Sequence, residues 1–154
     1  MGTLNLVRHA KAGDRGEWQG DDRVRPLSRA GWRQAEGLVD VFQKLPVDRM
    51  VSSPYLRCVQ TLEPLARQRG LRIEPSEALA EGAGARSVFE LMRTFPGQNL
   101  ALCTHGDVIQ EALERLAADG IIRRRDITQM AKGSTWVIDH AGGKAISGRY
   151  LDAP

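Results

Sequence analysis

Three segments of this sequence place cationic or potentially cationic side chains at or shortly after the end of a strand-like segment. They are Arg8 and His9 after Leu4-Asn5-Leu6-Val7, Arg57 after Val51-Ser52-Ser53-Pro54-Tyr55-Leu56, and His105 after Ala101-Leu102-Cys103-Thr104. Like charges repel in a poorly hydrated cleft, so gathering these four groups requires a compensating anion. A phosphoryl group would supply that anion. A neutral imidazole among these groups could attack phosphorus near physiological pH.

The apolar runs are typical of buried strands, and strands of a parallel sheet end at a common edge. Arg57 follows a Ser-Ser-Pro turn and lies in the first turn of a predicted helix. A cation is electrostatically unfavourable there, whereas an anion bound at the helix N-terminus would reverse that penalty. We therefore expect the ends of three strands to surround one anion.

The order of these motifs resembles the histidine phosphatase superfamily, also called phosphoglycerate mutase-like. The matching motifs are Leu-Val-Arg-His-Ala, Ser-Ser-Pro followed by Arg-Cys-Val-Gln-Thr, and Thr-His-Gly, which together span about residues 3 to 106. The resemblance implies that His9 is the nucleophile and becomes transiently phosphorylated. It also implies that Arg8, Arg57 and His105 hold the phosphate oxygens, with no metal ion or other cofactor.

Such a reaction needs a general acid for the leaving oxygen, and the same group would later activate water. Glu81, in Ala78-Leu79-Ala80-Glu81-Gly82, is the candidate, because members of the family commonly place their acid between the second and third motifs. Asp107 is the alternative acid, although as a helix-start residue it could simply be a cap.

Departures from the family pattern narrow the expected reaction. Ala10 replaces the glycine that often follows Arg-His, as in the small bacterial phosphohistidine phosphatases. Glu81 lies 24 residues after Arg57 and 24 residues before His105, which leaves little room for the inserted lid of the mutases. Hydrolysis of a phosphate monoester or a phosphohistidine is therefore favoured over mutase chemistry.

The segment from Lys11 to Pro26 is polar and rich in Gly, Asp and Arg, and a loop of this length in a compact domain is more often functional than idle. Asp21-Asp22-Arg23-Val24-Arg25-Pro26-Leu27-Ser28, followed by Gly31, Gln34 and Ala35, resembles the small bacterial phosphatases and also the phosphatase module appended to some bacterial nudix hydrolases. The second likeness keeps nucleotides open as substrates. The side chains that could extend the positive field or stack on a base are Lys11, Arg15, Trp18, Arg23 and Arg25. Solvent exposure or packing is an equal alternative for each of them.

Two other classes of function compete with the enzyme. The pocket could belong to a non-catalytic module that binds phosphate or phosphohistidine. A nucleic-acid-binding protein is the other alternative, but no recognised nucleic-acid motif is present. The expected partners are a phosphorylated small molecule, a nucleotide or a phosphohistidine protein, with no nucleic acid and no membrane. Three scattered histidines and two lone cysteines give no metal-ligand spacing.

The chain-wide properties indicate one globular domain over residues 1–154. Apolar residues make up 42% of the chain and charged residues 27%; the net charge of +3 comes mainly from 18 arginines against 4 lysines. No signal peptide is expected, because Met1 leads directly into a strand-like segment. Apolar runs are too short to cross a bilayer. Cys58 and Cys103 read as buried thiols, which fits a reducing cytoplasm.

Apolar periodicity alternates between strand-like and helical segments, which predicts an α/β three-layer sandwich with a mostly parallel central sheet and helices on both faces. The predicted strands are Thr3–Val7, Arg49–Ser52, Arg72–Glu74, Asn99–Thr104, Ser134–Asp139 and Lys144–Tyr150. The predicted helices are Ala30–Leu45, Tyr55–Arg69, Arg86–Thr94 and Asp107–Ala118, with Pro64 expected to kink or shorten the second. The last two strands are predicted to form a hairpin across His140-Ala141-Gly142-Gly143, and we expect His140 in this turn to be exposed and idle.

Overall fold

The computed structural model describes residues 1–154 and contains one six-stranded sheet. Its strands are β1 (Gly2–Arg8), β2 (Arg49–Ser52), β3 (Ile73–Pro75), β4 (Leu100–Thr104), β5 (Thr135–Ala141) and β6 (Lys144–Leu151). Its helices are α1 (Arg29–Val41), α2 (Leu56–Arg69), α3 (Arg86–Thr94) and α4 (Gly106–Ala118). Short 3-10 turns lie at Asp22–Val24, Glu77–Leu79 and Arg124–Asp126.

The strand order is β3-β2-β4-β1-β5-β6. The first four strands in this order run parallel, and β5 and β6 form an antiparallel extension next to β1. β1 and β4 therefore lie in the middle of the sheet, where their nearly continuous apolar sequences are buried. The α/β sandwich with a mostly parallel sheet is confirmed.

Side chains of the central strands alternate between the two faces of the sheet, because successive residues of a strand point in opposite directions. Leu4, Leu6, Leu100 and Leu102 pack in a core with α3 and α4. The intervening side chains pack in a second core with α1 and α2; those of the two central strands are Val7, Ala101 and Cys103. The alternation thus produces the two helical layers.

Two helix boundaries have local causes. Ser28 caps α1 by accepting a hydrogen bond from the Gly31 N–H, and the helix ends at Val41 rather than at Leu45. Pro46 disfavours helical geometry at the residue before it, which accounts for an end ahead of Leu45. Pro64 lies inside α2 without interrupting it, so the expected shortening is wrong.

The terminal hairpin turns at Gly142 and Gly143, not at His140. Both glycines have positive φ angles, of 57° and 79°, which glycine adopts without strain. β5 consequently continues through His140, whose side chain is fully buried. The expectation that His140 is exposed is wrong. None of the helices combines the length and the apolar content needed to cross a lipid bilayer.

Candidate active site

The carboxyl ends of β1, β2 and β4 lie side by side at one edge of the sheet. Beyond the last ladder pairs, the His9 N–H donates to the Thr104 carbonyl at 3.1 Å, and the Ser53 N–H donates to the Cys103 carbonyl at 2.9 Å. The ring centroids of His9 and His105 are consequently 5.4 Å apart. The two histidines that the sequence singles out share one site.

One ring nitrogen of His9 is engaged by the backbone and the other is free. Its Nδ1 lies 2.8 Å from the Ala10 carbonyl oxygen, and since a carbonyl can only accept, Nδ1 carries the proton and Nε2 keeps its lone pair. The Ala10 N–H donates to Thr61 Oγ1 at 2.9 Å, and this hydroxyl donates to the Arg57 carbonyl in α2 at 2.7 Å. These bonds hold the segment that orients the imidazole.

The surroundings of His9 favour its neutral form. Its imidazole is only 7% exposed, and burial lowers the pKa of His9 to about 3. The positive charges of Arg57, His105 and Arg8 contribute to this lowered pKa, and the hydrogen bond to the Ala10 carbonyl opposes it. At neutral pH the lone pair of Nε2 is therefore available.

Arg8 is fixed by close packing. Its Nη1 donates to the Met130 carbonyl at 2.7 Å, and its guanidinium lies against Gly106 at the start of α4. A Cβ at position 106 would lie 2.8 Å from Arg8 Nη2 and 2.9 Å from Cζ. The absence of a side chain at Gly106 therefore creates the space that Arg8 fills.

Arg57 is fully buried and has an internal partner that sequence reasoning missed. Its Nη1 donates to the Asp22 carbonyl at 3.0 Å, and its Nη2 donates to the Asp22 carboxylate at 3.1 Å. Glu81 Oε2 lies 3.7 Å from the same Nη2. No periodic pattern marks Asp22 as a partner of Arg57, because the two residues meet only through the folding of the loop onto α2.

His105 is held by the first residues after β2. Its Nε2 lies 2.8 Å from Ser53 Oγ and 3.6 Å from Cys58 Sγ, and the Tyr55 ring packs against it edge to face at 4.6 Å. Ser53 belongs to the Ser-Ser-Pro motif that the sequence analysis singles out. The motif did not predict that Ser53 contacts the imidazole of His105.

Three buried nitrogens at this site have no hydrogen-bond partner within the protein. They are Arg8 Nε, Arg57 Nε and His105 Nδ1. Buried polar groups in native proteins are nearly always paired. N–H groups on two arginines and a histidine near His9 are suited to hold the oxygens of a tetrahedral oxyanion.

Glu81 lies in a loop that α4 holds in place. Its carboxylate accepts from Arg15 Nη2 at 3.0 Å and is one-third exposed. The adjacent Gly82 N–H donates to Asp107 Oδ2 at 2.8 Å. Both candidate acids thus border the site, but Asp107 is bonded to the loop that carries Glu81.

A polar cavity of about 750 Å³ contains the site. The residues predicted from the sequence that line it are Arg8, His9, Lys11, Arg15, Arg25, Glu81, His105 and Asp107. Arg57 is not among the residues that line it. Arg25 is 5% exposed and bonds to Asp22 and to the Gly13 carbonyl. It therefore supports the loop that borders the cavity.

Trp18 and Arg23 do not line this cavity. The Trp18 indole N–H donates to the Asp21 carbonyl at 2.9 Å, and Arg23 binds both carboxylate oxygens of Glu77 at 2.8 and 3.0 Å. Lys132 does line the cavity, and sequence reasoning missed it. Its position depends on the pairing of β5 with β1, which no local motif encodes.

Comparison with known proteins places this architecture in a family. Residues 4–87 match the family model described as histidine phosphatase superfamily (branch 1). The 8-oxo-(d)GTP phosphatase of Mycolicibacterium smegmatis is 35% identical over 158 residues, which cover 99% of this chain and 48% of that protein. The chain thus spans about half the length of this curated relative.

Solved structures show the same fold. The SixA protein of Agrobacterium tumefaciens superimposes with a TM-score of 0.80 at 23% identity, covering 99% of this chain and 98% of that one. A protein histidine phosphatase SixA complexed with tungstate superimposes with a TM-score of 0.74 at 18% identity, covering 97% of this chain and 94% of that one. The chain therefore belongs to the histidine phosphatase superfamily, and its fold is that of the small SixA-like structures.

Proposed function

We propose that this protein is a phosphatase that hydrolyses a phosphate monoester or a phosphohistidine through a phosphohistidine intermediate on His9, without a metal ion or cofactor. The observation that carries the proposal is the set of three unpartnered buried nitrogens, on Arg8, Arg57 and His105, around an imidazole whose Nε2 lone pair is free. Cationic donors of this kind stabilise the charge on a transferring phosphoryl group.

In the first half of the reaction, His9 Nε2 forms a bond to phosphorus as the bond from phosphorus to the leaving atom breaks. Arg8, Arg57 and His105 bind the oxygens of the phosphoryl group. Glu81, once protonated, gives its proton to the leaving atom. The Glu81 carboxylate is paired with Arg15 at 3.0 Å, so this ion pair opens for Glu81 to act as the acid.

In the second half, water replaces His9 on phosphorus. The Glu81 carboxylate accepts one proton from water, the water oxygen bonds to phosphorus, and the bond to Nε2 breaks. The imidazole returns to its neutral form with the proton on Nδ1, where the Ala10 carbonyl holds it at 2.8 Å. The products are inorganic phosphate and the free enzyme.

The likeness to SixA structures supports a phosphohistidine protein as one substrate. Nucleotides are the second candidate class, supported by the identity with an 8-oxo-(d)GTP phosphatase and by a cavity of about 750 Å³, which is large enough for a nucleotide. The free, buried thiols of Cys58 and Cys103 support a cytoplasmic location.

Turnover of p-nitrophenyl phosphate in excess chelator tests the proposal. We expect activity in the wild type, none with His9→Ala, and a loss of most kcat with Glu81→Gln. A non-catalytic module predicts a different result, since Glu81→Gln would leave its affinity for phosphorylated ligands intact and the wild type would show no turnover. Full activity of the His9→Ala protein would refute the proposal.

A further inference from the structure

One glutamine side chain holds two lysines together in the cavity wall. The Lys11 N–H donates to Gln34 Oε1 at 2.9 Å, and Gln34 Nε2 donates to the Lys132 carbonyl at 3.0 Å. Lys11 comes from the loop after β1 and Lys132 from the segment before β5, and both residues line the cavity that contains His9. The amide of Gln34 thus couples the two backbones from its position on α1.

The position of Lys132 is also fixed relative to the nucleophile. The N–H of the next residue, Gly133, donates to the carbonyls of Arg8 and His9 at 3.1 and 3.2 Å. Gly133 has a φ of 85°, and a Cβ there would meet the Gln34 amide at 3.1 to 3.3 Å. The close packing of Gln34 on Gly133 therefore makes the lysine pair a built feature of the site.

Neither Lys11 nor Lys132 has a carboxylate within 4.0 Å. The three carboxylates that line the cavity are bonded elsewhere: Asp14 accepts from the Gly16 N–H, Glu81 from Arg15, and Asp107 from the Gly82 N–H. Burial and the surrounding Arg8, Arg25, Lys11 and Arg15 lower the pKa of Lys132. An anion bound at this position would relieve the repulsion between these cations.

We infer that Lys11 and Lys132 form a second anion position beside His9, and that the substrate carries a second phosphate directly next to the phosphoryl group that is transferred. The substrate class is a terminal phosphoanhydride, as in a nucleoside diphosphate or inorganic pyrophosphate. This inference rests on the proposed phosphatase function of His9. Gln34 is a positioning residue in this account, because it acts through the two lysines.

The chemistry balances without further reactants. His9 Nε2 bonds to the terminal phosphorus, and the bond to the bridging oxygen breaks with its electron pair remaining on the departing phosphate. That phosphate leaves as an anion that the two lysines neutralise, so it needs no proton at the moment of departure. Water then cleaves the phosphorus–nitrogen bond, with Glu81 accepting one of its protons.

The test compares kcat/KM for ADP, AMP and p-nitrophenyl phosphate in the wild type, Lys132→Met, Lys11→Met and the control Lys44→Met. Lys44 is exposed and is not part of the cavity, so its variant makes the same change of charge elsewhere. We expect the wild type to prefer ADP to AMP. Either cavity substitution should reduce kcat/KM for ADP about tenfold more than for p-nitrophenyl phosphate, as loss of one charge-assisted contact implies.

Gln34→Leu tests the positioning role. We expect it to raise KM for ADP with a smaller change in kcat, because the phosphoryl-transfer residues keep their contacts. Equal losses for ADP and p-nitrophenyl phosphate in the Lys132→Met protein would overturn the inference, as would equal wild-type use of ADP and AMP. A loss of activity in the Lys132→Met protein that is seen only with a phosphohistidine carrier protein as substrate would also overturn the inference.

A binding measurement separates this inference from the catalytic proposal. Methylenediphosphonate and orthophosphate are titrated calorimetrically into wild type and Lys132→Met. We expect the diphosphonate to bind more tightly to the wild type and to lose that advantage in the variant. Absence of turnover would refute the catalytic proposal alone, whereas equal wild-type affinities for the two anions would refute the second anion position.

Discussion

Asp22 accepts two hydrogen bonds from the guanidinium of Arg57. Its backbone carbonyl oxygen lies 3.0 Å from Nη1, and its carboxylate lies 3.1 Å from Nη2. Arg57 is a proposed phosphate ligand, so an internal carboxylate lies where it competes with substrate for the same cation. Although burial opposes ionisation, the guanidinium groups of Arg25, Arg57 and Arg15 hold the pKa of Asp22 below its usual value. Asp22 is therefore a negative charge at the edge of an anion site.

Asp22→Asn should strengthen the binding of phosphate-like inhibitors. The substitution removes the competing charge but keeps the carbonyl that contacts Arg57. We expect the competitive inhibition constant of vanadate to fall about tenfold, equivalent to about 1.4 kcal/mol. Asp21→Asn is the matched control, because Asp21 caps the same 3-10 turn without contacting Arg57. Weaker vanadate binding by Asp22→Asn would show instead that Asp22 positions Arg57 for catalysis.

The imidazole of His9 should stay neutral far below the usual histidine range. Burial lowers its pKa to about 3, so the unfolded chain binds more protons than the folded chain between about pH 6.5 and pH 3. His9 should therefore make the fold less stable as pH falls through this window. Nitrogen chemical shifts from NMR should show the Nδ1–H tautomer at pH 7 and no titration above about pH 4. A midpoint near pH 6.5 would contradict the geometry around His9.

Ser53→Ala should lower activity through His105. The substitution removes the hydroxyl 2.8 Å from His105 Nε2, which frees the ring to turn. A displacement of about 1 Å in a group that positions the substrate can lower the reaction rate about 100-fold. We therefore expect kcat/KM to fall by about 10- to 100-fold. Unfolding measurements should show a loss of about 1 to 3 kcal/mol for the unpaired ring nitrogen.

Ser52→Ala is the control for Ser53→Ala. Ser52 is equally buried, but its hydroxyl donates to the Ser53 carbonyl and not to His105. We expect this variant to lose stability without a comparable loss of kcat/KM. Similar activity losses in both variants would remove the case for Ser53 as the residue that positions His105.

Gly106→Ala should separate activity from stability. A Cβ there would lie 2.8 Å from Arg8 Nη2, so Arg8 must move, while alanine is a better helix former than glycine at the start of α4. We expect kcat/KM to fall by about 100-fold, as for removal of one transition-state donor, with the melting temperature little changed. Gly97→Ala is the control, because nothing lies within 4 Å of its added Cβ. Full activity in Gly106→Ala would mean that the position of Arg8 is not critical.

Local patterns in the sequence predicted the layers of the fold. The nearly continuous apolar sequences of β1 and β4 predicted strands that are buried on both faces, and helices do pack on both faces of the sheet. The ordered motifs identified His9 and His105 because strand ends bring them together regardless of loop detail. Burial of these strands leaves few alternative arrangements of the sheet.

Features that depend on long-range pairing were not predictable from the sequence. Lys132 reaches the site through the antiparallel pairing of β5 with β1, and Asp22 meets Arg57 through the packing of an irregular loop. His140 was misplaced because two adjacent glycines, and not the histidine, form the hairpin turn. The contacts of Lys132 and Asp22 do not follow from the residues next to them in the chain, whereas the two glycines were a local signal for a turn shorter than the predicted one.

Trapping the phosphorylated enzyme tests the central claim most directly. Wild type and Glu81→Gln are mixed with p-nitrophenyl phosphate, quenched at alkaline pH, and examined by intact-mass and peptide mass spectrometry. We expect one phosphoryl group on His9, accumulating in Glu81→Gln because activation of water is impaired, and none in His9→Ala. A phosphoryl group on another residue, or turnover by the wild type with no phosphorylated His9 under any quench, would contradict the account.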